Sequence, residues 1–191
     1  MTEAALNDFN VIETQRLTIR RFQATDKAAF LAYRNDPDIA RYQNWEAFTD
    51  EQATQLIREM ETLPFGLPGQ GFQIAVEHKA SGTLVGDCYL QVDGQEERQA
   101  EIGFTFSRSF QGQGLATEAV SAVLDYAFCR LALHRIVAIT DSRNAPAAAL
   151  LERLRFRRED HFLESVWFKG AWGDEYLYAV LREEWAEKRD L

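Results

Sequence analysis

The chain has 191 residues, 46% hydrophobic and 27% charged, enough for one domain with a sizeable core and a balance that excludes a disordered polymer. No apolar run approaches the roughly 20 residues a membrane-spanning helix needs. The formal net charge of −9 argues against nucleic acid as a partner and favours a cationic acceptor. Two cysteines (Cys88 and Cys129), each among apolar neighbours, and three scattered histidines give neither a disulfide framework nor ligand spacing, so no metal is expected.

Residues 1–10 are polar and acidic, with no basic region, hydrophobic segment or cleavage site, so a cytoplasmic location is expected. From Gln15 to Phe22 apolar and polar residues alternate as in a half-buried strand. Ala24–Thr25–Asp26 then offers cap chemistry to a short helix ending near Asp36–Pro37. Thr49–Asp50 opens a second helix, with Ala53, Leu56, Ile57 and Met60 at helical spacing, before a Gly/Pro loop at 64–69. Strands are expected at 72–77, 83–92 and 99–107, the first two joined by the turn Lys79–Ala80–Ser81–Gly82. The clearest helix covers 115–130, followed by a buried strand at 134–140 and an Ala/Leu-rich helix after Asn144. Strands at 156–169 and 175–182, with a turn at 170–174, close the order. A helix between strands implies a crossover and a parallel pair. The expected fold is one α/β (α+β) domain, a mixed, mostly antiparallel sheet of about seven strands flanked by about four helices.

The segment Gln111–Gly112–Gln113–Gly114–Leu115–Ala116–Thr117 joins a strand to the best helix. Free N–H groups and the dipole of a helix N-terminus favour an anion, and glycine lets the backbone approach it. The alternative is a turn whose N–H groups face water. A nucleotide P-loop needs Lys-Ser/Thr after its last glycine, where Leu115–Ala116 stands. The dinucleotide pattern ends on Thr117 instead of glycine and lacks an acidic ribose partner.

Gln111-x-x-Gly114-x-Ala116 resembles the pyrophosphate signature of the GNAT superfamily of acyl-CoA N-acyltransferases. Ala100–Glu101–Ile102–Gly103–Phe104, Arg16–Leu17, Arg34–Asn35–Asp36–Pro37 and Asp141–Ser142–Arg143–Asn144 resemble its ribosomal-protein-alanine N-acetyltransferase branch. So do 150–156 and Gly170–Ala171–Trp172–Gly173–Asp174, extending the resemblance over about 12–185. It implies acetyl-CoA as co-substrate, an amine acceptor on a peptide N-terminus or a small molecule, and a homodimer. It also implies that Phe104, Thr105 and Phe106 bond the pantetheine arm as an added strand. Gln111, Gly112, Gln113, Gly114, Ala116 and Thr117 would hold the pyrophosphate, and Asn144 the pantetheine, Asn144 also reading as a helix cap.

Amine acetylation needs the acceptor nitrogen deprotonated, and Glu101 is the expected general base, acting directly or through water. Strand alternation puts Glu101, Gly103 and Thr105 on one face; the competing reading pairs Glu101 with an arginine of the first helices. The general acid stays unassigned: Ala147 stands where the family places a serine, and Tyr176 and Tyr178 are the remaining phenols considered. Arg155 replaces a usual helix-ending glycine. Trp45, Phe48, Phe65 and Trp172 are candidates for an acceptor pocket. The reading from another class is a non-catalytic acyl-CoA-binding sensor.

Overall fold

The computed structural model describes residues 9, 11–43 and 45–189. Eight strands form one sheet in the order β1-β2-β3-β4-β5-β6-β8-β7: Val11–Glu13, Leu17–Arg20, Gly71–His78, Thr83–Val92, Gln99–Phe106, Arg135–Asp141, Arg157–Phe168 and Ala171–Leu181. Six α-helices are described: α1 Lys27–Arg34, α2 Pro37–Ala40, α3 Asp50–Thr62, α4 Leu115–Cys129, α5 Ala145–Arg153 and α6 Arg182–Arg189. The expected single α/β domain with a mixed sheet is present. The sheet gains β1, and α2 and α6 add to the helices. These three are short or lack a long apolar period, so alternation could not reveal them.

Local chemistry sets the boundaries. Thr49 accepts from the Gln52 N–H while Gln52 reaches back, a reciprocal cap that starts α3 where Thr49–Asp50 predicted. Asp26 does not cap α1 with its side chain; it turns inward to a bidentate pair with buried Arg20, at 2.7 and 2.9 Å. The final hairpin is tighter than expected. Phe168 pairs with Ala171, leaving a two-residue turn at Lys169–Gly170, both with positive φ, so residues 171–174 are strand.

Strand β4 is buried on both faces over 84–88, with α1 on one side and α4 on the other. Leu115, Ala119, Val120, Val123, Leu124, Ala127 and Phe128 form the buried stripe of α4, as its period predicted. Cys88 is buried, whereas Cys129 at the end of α4 is exposed, contrary to the shared apolar setting expected for both. The expectation for residues 1–10 lies outside the described residues except at Phe9. That ring is buried, stacked 4.4 Å from Phe65 and edge-on to Phe72 and Tyr126.

Among the described residues the only parallel pair is β5 with β6, and it is brief. Gln99, Ala100 and Glu101 pair with Arg135, Ile136 and Val137, after which the strands diverge. Strand β4 continues alongside β5 as far as Phe106, and β8 continues alongside β6 as far as Asp141. The centre of the sheet therefore opens like a wedge, exposing the β5 edge from Ile102 onward.

Candidate active site

Register assigns the faces of the wedge. Asp87, Tyr89 and Gln91 on β4 stand opposite Thr105, Gly103 and Glu101 on β5, so all six share a face. Across the wedge, Val137 pairs with Glu101, and Asp141 with Glu175, which brings Ile139, Asp141 and Glu175 onto that same face. This face meets α1 and the segment after α2 in a cleft of about 630 Å³. Its walls include Trp45 and Phe48 as well as Glu101, Asn144 and Glu175. A more open groove beside it, lined by Arg41, Lys169 and Trp172, shares Tyr42, Asp141, Val166 and Phe168 with the cleft.

Glu101 is half-buried at the mouth of the wedge. Burial pushes its carboxyl pKa above the ordinary value, and the nearby Glu175 charge pushes it further. No hydrogen bond or ion pair engages this carboxylate among the described residues. The arginine pairing considered for Glu101 belongs instead to Asp87, which takes Arg34 at 2.6 Å and Gln73 at 2.6 Å, along with the Tyr33 hydroxyl. Asp87 and Arg34 lie almost wholly out of solvent. Nothing in the local pattern of β4 marked Asp87, because a single acid in an apolar strand gains meaning only from its neighbours in space.

The glycine loop has the geometry of a helix start. Gly112 and Gly114 have φ of 72° and 77°, and Gly114 is the N-cap of α4 with no side-chain bond to the first turn. A Cβ on Gly112 would meet nothing within 4 Å, so the backbone is approachable from outside. Gln111 bonds the Phe106 carbonyl at 2.8 Å, and Gln113 bonds the Ser109 carbonyl at 2.9 Å; both amides brace the loop. Thr117 is in reach of Arg153 at 3.4 Å. The structure adds Arg16, which bonds the Gln113 carbonyl at 2.8 Å and Glu118 at 2.7 Å. Burial works against the Glu118 charge, but hydrogen bonds from Thr14 and Arg16 hold its pKa below the usual range. Arg16, paired with Glu118, thus places a guanidinium beside the first turn of α4.

Asn144 caps α5 by accepting from the Ala147 N–H at 3.3 Å, and it also faces the cleft. Both roles considered for it are sterically compatible. Tyr176 and Tyr178 are excluded as donors into this cleft. They alternate with Glu175 along β8, so they project from the opposite face. There Tyr178 donates to Glu152 at 3.0 Å, and Tyr176 meets His161 edge-on at 4.7 Å. The phenols in the cleft are Tyr42 and Tyr89. Of the aromatic candidates, Trp45 and Phe48 form cleft wall, Phe65 is core, and Trp172 is 55% exposed at the outer groove.

Among the described residues no group of three or more His, Cys, Asp or Glu could hold a metal ion, and no helix is long and apolar enough to cross a membrane. A family model described as the acetyltransferase (GNAT) domain matches residues 16–157. The N-acetyltransferase p20 of Bacillus licheniformis is 34% identical over 174 residues, 91% of this chain and 97% of that protein. A GNAT-family acetyltransferase from Bacillus anthracis superposes with a TM-score of 0.80 at 31% identity, over 91% of this chain and 99% of the other. Spermidine N-acetyltransferase from Vibrio cholerae, solved with CoA and spermine, has a TM-score of 0.78 at 23% identity over 91% and 99% of the two chains, a likeness of fold. The split sheet, the glycine-led helix start and these relatives converge: the chain belongs to the GNAT family and is an acyl-CoA N-acyltransferase.

Proposed function

We propose that this protein transfers the acetyl group of acetyl-CoA to a primary amine by direct attack of the amine on the thioester. The observation that carries this reading is the wedge between β5 and β6, which opens beside Glu101 and leads along a bare strand edge to the Gln111–Ala116 loop. In this reading the backbone of Phe104, Thr105 and Phe106 pairs with the pantetheine arm. The N–H groups of Gly112, Gly114, Ala116 and Thr117 hold the pyrophosphate, with the Arg16 guanidinium beside the loop. Gln111 and Gln113 act by fixing the loop, and Asn144 offers its amide to the pantetheine.

Glu101 takes a proton from the bound ammonium, directly or through water. The free amine forms a bond to the thioester carbonyl carbon, the carbon–sulfur bond breaks, and the thiolate leaves as coenzyme A after protonation. Cys88 is buried and its thiol pKa is raised by desolvation, which supports direct transfer over a cysteine-linked intermediate. The carboxylates Glu101 and Glu175 beside aromatic Trp45 and Phe48 favour a protonated amine as acceptor. Peptide N-termini, as in the ribosomal-protein branch, and polyamines, as named for the Vibrio neighbour, are the two acceptor classes. We place the activity in the cytoplasm, with a homodimer as the assembly. The long edge strand β7, with exposed Leu163 and Trp167, supports the latter.

The test is thermal unfolding with and without acetyl-CoA, followed by thiol release with spermidine and with an alanine-starting peptide. A ligand at 100 times its Kd stabilises the fold by about 2.7 kcal/mol. No shift at millimolar acetyl-CoA, with Gly114→Asp behaving like the wild type, overturns the cofactor site. A shift without turnover of any amine favours the sensor reading.

A further inference from the structure

The segment Arg34–Asn35–Asp36–Pro37 takes no part in the chemistry above, yet its three polar side chains are all engaged. Arg34, at the end of α1, is 3% exposed. Its guanidinium pairs with Asp87 on β4 at 2.6 Å, and its centre lies 4.0 Å from the Trp45 ring and 5.7 Å from Phe48. The Arg34 carbonyl accepts from the Trp45 indole at 3.1 Å. Asn35 grips the backbone of Phe48 from both sides, donating to its carbonyl at 3.0 Å and accepting from its N–H at 2.7 Å. Asp36 caps α2 by accepting from the Asp38 N–H at 2.9 Å, and Pro37 begins that helix. Residues 45–49 have no regular structure, so the two aromatic rings that line the cleft with Glu101 are held by these contacts rather than by a helix or ladder.

The arrangement around Arg34 has an unusual cost. Its Nε is buried and has no hydrogen-bond partner, while the guanidinium centre lies over the Trp45 ring. A lysine could pair with Asp87, but it could not present a plane to an indole. The feature that demands arginine is therefore the stack, not the charge alone.

We infer that Arg34 is a positioning residue for the acceptor, acting through Trp45 and Phe48: its guanidinium, anchored on Asp87, is the platform that sets the aromatic wall of the cleft that Glu101 also lines. This rests on the reading that the cleft takes the amine. It predicts a specific separation of effects. Loosening the platform weakens the grip on the acceptor and leaves the glycine loop untouched, since that loop is braced separately by Arg16.

The experiment uses the full-length protein as wild type, as Arg34→Lys, and as the double variant Arg34→Met with Asp87→Asn. The double variant removes both buried charges together, which avoids the strand-side charge left stranded by a single deletion. Hydrogen exchange over 45–49 is read by mass spectrometry, together with KM values for acetyl-CoA, spermidine and an alanine-starting peptide. The expected result is faster exchange at 45–49 than at the glycine loop in either folded variant. The KM of whichever amine the wild type uses should rise about tenfold with that of acetyl-CoA unchanged. Unaltered exchange at 45–49, or an equal rise in both KM values, overturns the assignment. If the wild type acetylates neither amine, the fault lies with the functional reading, and unaltered exchange at 45–49 still overturns Arg34 as the support of Trp45 and Phe48.

Discussion

Glu101 illustrates how a sequence position acquires a chemical role. Alternation placed it on a face with Gly103 and Thr105, but only the divergence of β6 makes it the last residue of β5 paired on both sides, at the point where the wedge opens. Its pKa is raised by burial and by Glu175, so it ionises less readily than an exposed carboxyl. The acid limb of kcat/KM is therefore expected above the ordinary carboxylate range, with activity falling as pH drops through the raised Glu101 pKa. Glu175→Gln should move that limb to lower pH, which a pH–rate profile will show. Glu101→Gln should lower kcat/KM by about 10²–10⁴-fold. The sign for stability is opposite. A carboxyl whose folded pKa lies above its unfolded one costs stability at neutral pH, and that cost disappears as pH falls below both. Glu101→Gln is thus expected to melt at a higher temperature than the wild type near pH 7.5, and the gap should close in acid.

At the level of elements, α5 ends in a way the sequence flagged without explaining. Arg155 has φ of +69°; its N–H bonds the Glu152 carbonyl at 3.0 Å, and the Phe156 N–H bonds Leu151 at 3.0 Å. This is the reciprocal left-handed helix terminus in which glycine is preferred. The Arg155 side chain is exposed, so its replacement forfeits no packing. Arg155→Gly should stabilise the fold by about 1 kcal/mol by relieving left-handed strain, measured by denaturant unfolding. The start of α4 is the counterpart. Gly114→Ala adds a Cβ in a left-handed backbone and 3.5 Å from the Arg16 guanidinium, so it should weaken acetyl-CoA binding in calorimetry. Both helices were legible from periodicity, as were β3, β4 and β5. The hairpin turn at Lys169–Gly170 was not, because Gly170–Asp174 also contains turn-forming residues and pairing across the strands decides the register.

On the scale of the molecule, the sheet is continuous except at one place, and that place is the candidate site. Helices cover both faces of β4, while the wedge between β5 and β6 is open to solvent on the α1 side. The core beneath reaches as far as Phe9, whose ring joins Phe65, Phe72 and Tyr126 in one aromatic cluster. Phe9→Ala should cost about 3–5 kcal/mol, the range for deleting a buried phenylalanine, with a matching fall in the unfolding midpoint. A lone aromatic in a polar N-terminal stretch gives no periodic signal, which is why its burial was not foreseen. The polar face was equally hidden. Asp87, Gln73 and Arg34 are far apart in the chain and meet only because β3, β4 and α1 converge, just as Arg16 reaches Gln113 and Glu118 only because the loop before β2 passes the start of α4.

The sequence by itself determined the glycine-led helix start, the crossover that requires a parallel pair, most strand and helix positions, and the family to which they belong. Those are local properties: hydrophobic period, backbone freedom at glycine and cap chemistry are written within a few residues of each other. Only the tertiary structure decided that Asp87, not Glu101, pairs with arginine, and that Tyr176 and Tyr178 point away from the cleft. It also decided that Trp45 and Phe48 line the same cleft as Glu101 while Phe65 is core. Each of these depends on register across strands that are distant in sequence, where a shift of one residue sends a side chain to the opposite face.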